Sequence, residues 1–179
     1  MKTRLAAVAA ALALATGWLT GCSGPADPAA TTPLFSSEDE AFAAAEATYR
    51  AYVDALNAVD LSDPETFEDV YAWTTGDANA GARESFSQMH ADEWVVSGVS
   101  EPTVVEPRLA GGTGESEVQL AICLDVSGVS LVGPDGDSVI DPSRPDVQSM
   151  LITLSPSTST DTGLAISMFD GREGDPTCD

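Results

Sequence analysis

Positive charge is almost missing from this chain. Seven lysines and arginines stand against 29 acidic residues, a net charge of −22 over 179 residues. Lys2 and Arg4 precede an apolar segment, and from Cys22 onward there is no lysine and only Arg50, Arg83, Arg108, Arg144 and Arg172. A surface this acidic repels nucleic acid, whose binding rests on cations that neutralise phosphates, and it offers no polybasic patch for anionic lipid. Histidine is equally scarce. His90 is the single imidazole, so triad chemistry has little to work with, and no Gly-x-Ser-x-Gly elbow occurs. The cysteines and His90 fall at no ligand-like spacing, which argues against a zinc site. No metal or cofactor is expected. The run Gly111-Gly112-Thr113-Gly114 lacks a following lysine and reads as a turn, not a phosphate cradle. Hydrophobic residues are not lacking: at 43% they suffice for an ordinary globular domain.

The first 21 residues have the tripartite form of an export signal. Lys2 and Arg4 form its charged end, and Leu5 to Leu19 is rich in alanine and leucine. As a helix, ~15 residues span roughly 22 Å, short of the roughly 30 Å hydrocarbon core. Leu19-Thr20-Gly21-Cys22 follows, and it resembles the lipobox of bacterial lipoproteins. The resemblance implies a diacylglycerol thioether on Cys22, cleavage before it, and residence at the cell membrane, lipid-anchored, on the extracytoplasmic face. Residues 22–36, small, polar and proline-rich, read as a flexible tether. Residues 37–179 then form one folded domain.

Lipidation of Cys22 leaves Cys123 and Cys178 as an even pair. Outside the cytoplasm a bridge between them is the natural expectation. It closes a loop of ~56 residues, worth roughly 4 kcal/mol by chain entropy, and holds down a polar C-terminus. The alternative is one buried thiol and one free one.

The domain reads helices first. Ser37-Glu38-Asp39-Glu40 is a capping box. Phe42, Ala45, Tyr49, Tyr52, Val53 and Leu56 recur at helical spacing, predicting a helix to about Asn57. Asp63-Pro64 starts a second, with Phe67, Val70 and Tyr71 on its apolar face and Gly76 as its stop. A third is predicted over Asp77–Glu93, with Phe86, Met89 and His90 inward. From Trp94 the texture changes to β-branched runs broken by turn residues. Strands are predicted over Trp94–Leu109, Glu117–Val132, Met150–Pro156 and Gly163–Phe169, with Gly98 a bend or bulge. The fold class is α+β.

Tyr49-Arg50-Ala51-Tyr52 in the first helix, Cys123-Leu124-Asp125-Val126-Ser127 in a long strand, and Cys178 near the end resemble the NTF2-like superfamily, specifically NTF2-like lipoproteins of high-GC Gram-positive bacteria. The resemblance spans Glu38 to Asp179. It implies a cone of three N-terminal helices packed on a curved antiparallel sheet, able to enclose a pocket.

Such a pocket would draw on Tyr49, Tyr52, Trp73 and Trp94, residues that serve equally as core. His90 is poised to act as a base near neutrality or is a plain core or surface residue. Asp125 shares a sheet face with Cys123. On a concave face burial would make it base-like; on a convex one it is solvated or bonds a turn amide. Asp135-Gly136-Asp137 with Asp141 lacks the closing Glu of a calcium loop and reads as a hairpin tip. With His90 and Asp125 as the only weak catalytic candidates, the leading expectation is a non-catalytic module that binds a small molecule or an envelope protein. Two alternatives follow from the resemblance: an isomerase or dehydratase using the cone pocket, and a structural subunit of a membrane assembly.

Overall fold

Helix α1 (Glu38–Asn57) begins where its cap dictates. The Ser37 hydroxyl accepts the Glu40 N–H at 3.2 Å. The reciprocal half of the box is shifted by one residue: the Glu40 carboxylate takes the N–H of Ser36 at 2.9 Å. Those Ser36 bonds, side chain first, hold the Glu40 carboxyl below its ordinary range. Residues 34–110 and 117–178 are described by the computed structural model. The export signal, Cys22, the tether up to residue 33 and the Gly111–Gly114 turn lie outside the described residues.

A 3-10 turn over Pro64–Thr66 leads into α2 (Phe67–Tyr71), and α3 (Gly76–Ala91) follows. Six strands complete the domain: β1 (Val95–Ser97), β2 (Glu101–Ala110), β3 (Val118–Asp125), β4 (Ser130–Val132), β5 (Val147–Pro156) and β6 (Leu164–Gly171). Four of them make an antiparallel sheet in the order β2-β3-β5-β6, and β1 with β4 makes a separate ribbon. The α+β arrangement, three helices and then an antiparallel sheet bent by register shifts in β2 and β5–β6, is the one the NTF2-like resemblance implies.

Two corrections concern the strands. The runs Trp94–Leu109 and Glu117–Val132 each break in two. The break in the first is at Gly98, whose φ of +87° suits only glycine, and a Cβ there would collide with the carbonyl of Gly128. The break in the second is the turn closed by the Val129 N–H on the Val126 carbonyl at 3.0 Å. The two glycines thus meet where the long hairpin leaves the sheet and becomes the ribbon.

Alternation assigns the core. Val118, Leu120, Ile122 and Leu124 of β3, with Ile152, Leu154, Leu164 and Ile166, pack against Ala41, Ala45, Tyr49 and Val53 of α1. A second apolar cluster, Leu61, Phe67, Val70, Tyr71 and Phe86, lies among the helices, and the ribbon residues Val96 and Leu131 cover it. The opposite register of β3 puts Ala121 and Cys123, both buried, on the sheet's other face. Cys123 is bonded there to Cys178, with Cα atoms 5.4 Å apart. Arg172 stitches down the segment between, donating to the carbonyls of Gly174 and Pro176, each at 2.6 Å. No helix among the described residues is long and apolar enough to cross a membrane.

Candidate functional site: a groove between α1, α3 and β6

Helix α3 carries Ala78, Gly81, Ala82 and Ser85 at i, i+3, i+4 and i+7, a face too small to fill the space beside α1. A groove of about 420 Å³ results. Tyr52 and Leu56 of α1 form one wall, α3 with Asp77 and Phe86 the other, and Met168 and Phe169 of β6 the floor. Met168, on the groove floor, is 41% exposed. At Gly81 an added Cβ would meet no atom within 4 Å.

The tyrosines tie this groove to the core. Tyr52 packs on Phe169 with ring centroids 5.2 Å apart and on Tyr49 at 6.2 Å. Burial pushes the Tyr52 hydroxyl up to about 12. Tyr49 is wholly buried, its hydroxyl has no hydrogen-bond partner, and burial drives its ionisation higher still, with Tyr52 adding to the shift. Neither phenol gives up a proton near neutrality. What the groove offers is apolar contact, one rim carboxylate (Asp77) and the Ser85 hydroxyl.

A second open cleft, about 480 Å³, lies between α1, the segment around α2 and the β5–β6 hairpin, lined by Trp73, Asp69, Ser159, Thr160 and Asp161 among others.

The four aromatics read from the sequence as one pocket are therefore not brought together. Tyr52 lines the groove, Tyr49 fills the core, Trp73 faces the second cleft, and Trp94 packs on the helical cluster. The reason is topological: Trp73 and Trp94 flank α3 at opposite ends. His90 departs from its expected inward place. Its ring is edge-on to Phe67 at 6.4 Å, its Nδ1 bonds the Leu61 carbonyl at 2.7 Å, and the residue is exposed. Inward positions near it go to Phe86 and Met89. Asp125 lies on the face of Cys123, away from α1, and its carboxylate accepts the Ser127 N–H at 2.8 Å. Hydrogen bonds from Ser127, side chain and then amide, hold its carboxyl below the usual range, opposite to a buried base. Asp135 and Asp141 likewise cap their own turns, at Asp137 and Ser143. Among the described residues no group of three or more His, Cys, Asp or Glu is placed to hold a metal ion.

Sequence reasoning missed Met168 and the α3 face. The signal that would have found the latter is the small-residue spacing at 78, 81, 82 and 85.

No protein-family model matches this chain, and no curated protein matches its sequence. Solved structures similar to it include a periplasmic fragment of TraM, 15% identical with a TM-score of 0.40, over 78% of this chain and 100% of that one. The periplasmic domain of DotI is 14% identical with a TM-score of 0.41, over 78% of this chain and 98% of its own. The VirB8 protein of Agrobacterium tumefaciens is 11% identical with a TM-score of 0.37, over 75% and 94%.

Proposed function

We propose that the protein is a lipoprotein anchored through Cys22 on the extracytoplasmic face of the cell membrane, and that its folded domain is a non-catalytic module binding a small molecule or an envelope protein. The observation that carries this reading is the Cys123–Cys178 bridge. It joins the two cysteines other than Cys22, and structural bridges persist in oxidising compartments. That is the side of the membrane to which the Lys2/Arg4 export signal would deliver the chain. For the binding role, the groove of about 420 Å³ falls in the range of small-ligand sites, with apolar walls and few polar groups.

Two arms test it. Cys22→Ser is expected to move the protein from the membrane pellet to the medium or to leave it uncleaved. An unchanged, membrane-bound mature species overturns the anchor. In the second arm a neutral solvatochromic dye is titrated into the purified protein. Gly81→Leu, which fills the open space on α3, is expected to abolish the blue-shifted emission; equal emission from both proteins removes the groove as the site.

A further inference from the structure

We propose that the outer edge of β1 is a strand-addition site for an extended, β-branched segment of a partner protein flanked by lysine or arginine. The ribbon has two edges, and one is taken. On the far side of β4, the Val139 N–H donates to the Leu131 carbonyl at 3.1 Å and Val132 bridges Ser138. With the Leu131 carbonyl turned that way, the antiparallel pair Val96↔Leu131 is the non-hydrogen-bonded kind. The N–H and C=O of Val96 therefore point away from β4. Among the described residues, nothing from Val95 to Val99 makes a backbone hydrogen bond outside the β1–β4 ladder. One donor and one acceptor stand ready for another strand.

The side chains around that edge are the most exposed large apolar ones described, Val95 at 59% and Val99 at 62%. The contact at Gly98 with Gly128 fixes the bend that presents them. Acid brackets the edge, with Glu93 before it and Glu101 after it, both exposed. Arg144 is committed to the carbonyls of Val126 and Val129 at 2.9 and 3.4 Å. A second copy of the chain is the poorer occupant, because it would bring another net charge of −22 against this one. A basic segment answers both the valines and the carboxylates. This inference rests on the reading of the domain as a binding module and adds a surface and a partner chemistry to it.

The test uses the full-length protein in detergent at physiological salt, with a fluorescent, lysine-flanked Val-Thr-Val-Thr-Val peptide as probe. The expected result is saturable binding that weakens at least about tenfold when alternate peptide nitrogens are methylated. Val96→Pro removes only the outward N–H, which an edge strand tolerates, and is expected to abolish binding while circular dichroism is unchanged. If that variant fails to fold, the methylated peptide decides alone. Equal binding of both peptides would reveal charge attraction without strand pairing and overturn the proposal. So would no saturable binding, or a self-dimer that Val96→Pro dissolves. Loss of the peptide result with the Cys22→Ser outcome intact sinks the edge and leaves the anchor standing; the reverse pattern does the opposite.

Discussion

Gly98 and Gly81 show how differently one residue type is used. Gly98 holds φ +87° against the Gly128 carbonyl, so Gly98→Ala meets both backbone strain and a collision, and a loss of about 2–3 kcal/mol is expected in urea melts. Gly81 sits inside α3 with open space around it. Gly81→Ala is expected to raise stability by roughly 0.5–1 kcal/mol. Equal effects at the two sites would refute the distinction. The tyrosines give a pH prediction. Tyr52 ionises at about 12 in the folded protein, above its unfolded value of about 10. A raised pKa means the stabilisation is complete below pH 10 and is lost as pH rises toward 12. Tyr49 and Tyr71 shift in the same direction, chiefly through burial. Absorbance at phenolate wavelengths is therefore expected to stay low through pH 10 in the native protein and to jump with alkaline unfolding. Ordinary titration of Tyr49 and Tyr52 near pH 10 would contradict the packing of α1.

At the scale of elements, α1 and α3 were the legible helices, whereas the second ends at Tyr71 and Gly76, read as its stop, is the first residue of α3. α1 ends at Asn57 as its spacing indicates, and α3 (Gly76–Ala91) lies within a residue or two of the expected span. Helical signals are local: a cap, a period, a stop. The division of Trp94–Leu109 into β1 and β2 was legible only as a bend at Gly98, because β-branched residues run on through it. Its matching break near Gly128 depends on two backbones meeting across the hairpin, which no local pattern encodes. The groove was illegible for a similar reason, since a deficit of side-chain volume on α3 has meaning only once β6 lies opposite. The disulfide, in contrast, followed from counting cysteines. One of the two edge strands of the main sheet, β2, differs from β1 in carrying prolines. Pro102 and Pro107 each precede a register shift against β3 and carry no backbone N–H. Replacing both with valine is expected to raise self-association in light scattering above that of the unsubstituted protein; no change in association would show that the prolines serve only local geometry.

For the whole molecule, charge dominates. Only two ion pairs occur among the described residues, Arg50–Glu46 and Arg83–Glu68, both largely exposed and worth little. The remaining acids repel one another, and salt screens that repulsion as the Debye length contracts from about 10 Å at 0.1 M to about 3 Å at 1 M. The melting temperature is expected to rise by several degrees over that range. A fall would mean that attractive pairs outweigh the repulsion after all.

The Cys123–Cys178 bond also sets how far the molecule can be drawn out. Pulled from its two ends in an optical trap, the oxidised chain bypasses everything between those sulfurs, a sequence separation of 55 residues. At roughly 3.4 Å per residue its full extension is shorter by about 190 Å than that of the reduced chain. Helix α1 and the helical cluster can unravel under load. β4, β5 and β6 remain inside a closed covalent ring that tension along the chain does not enter.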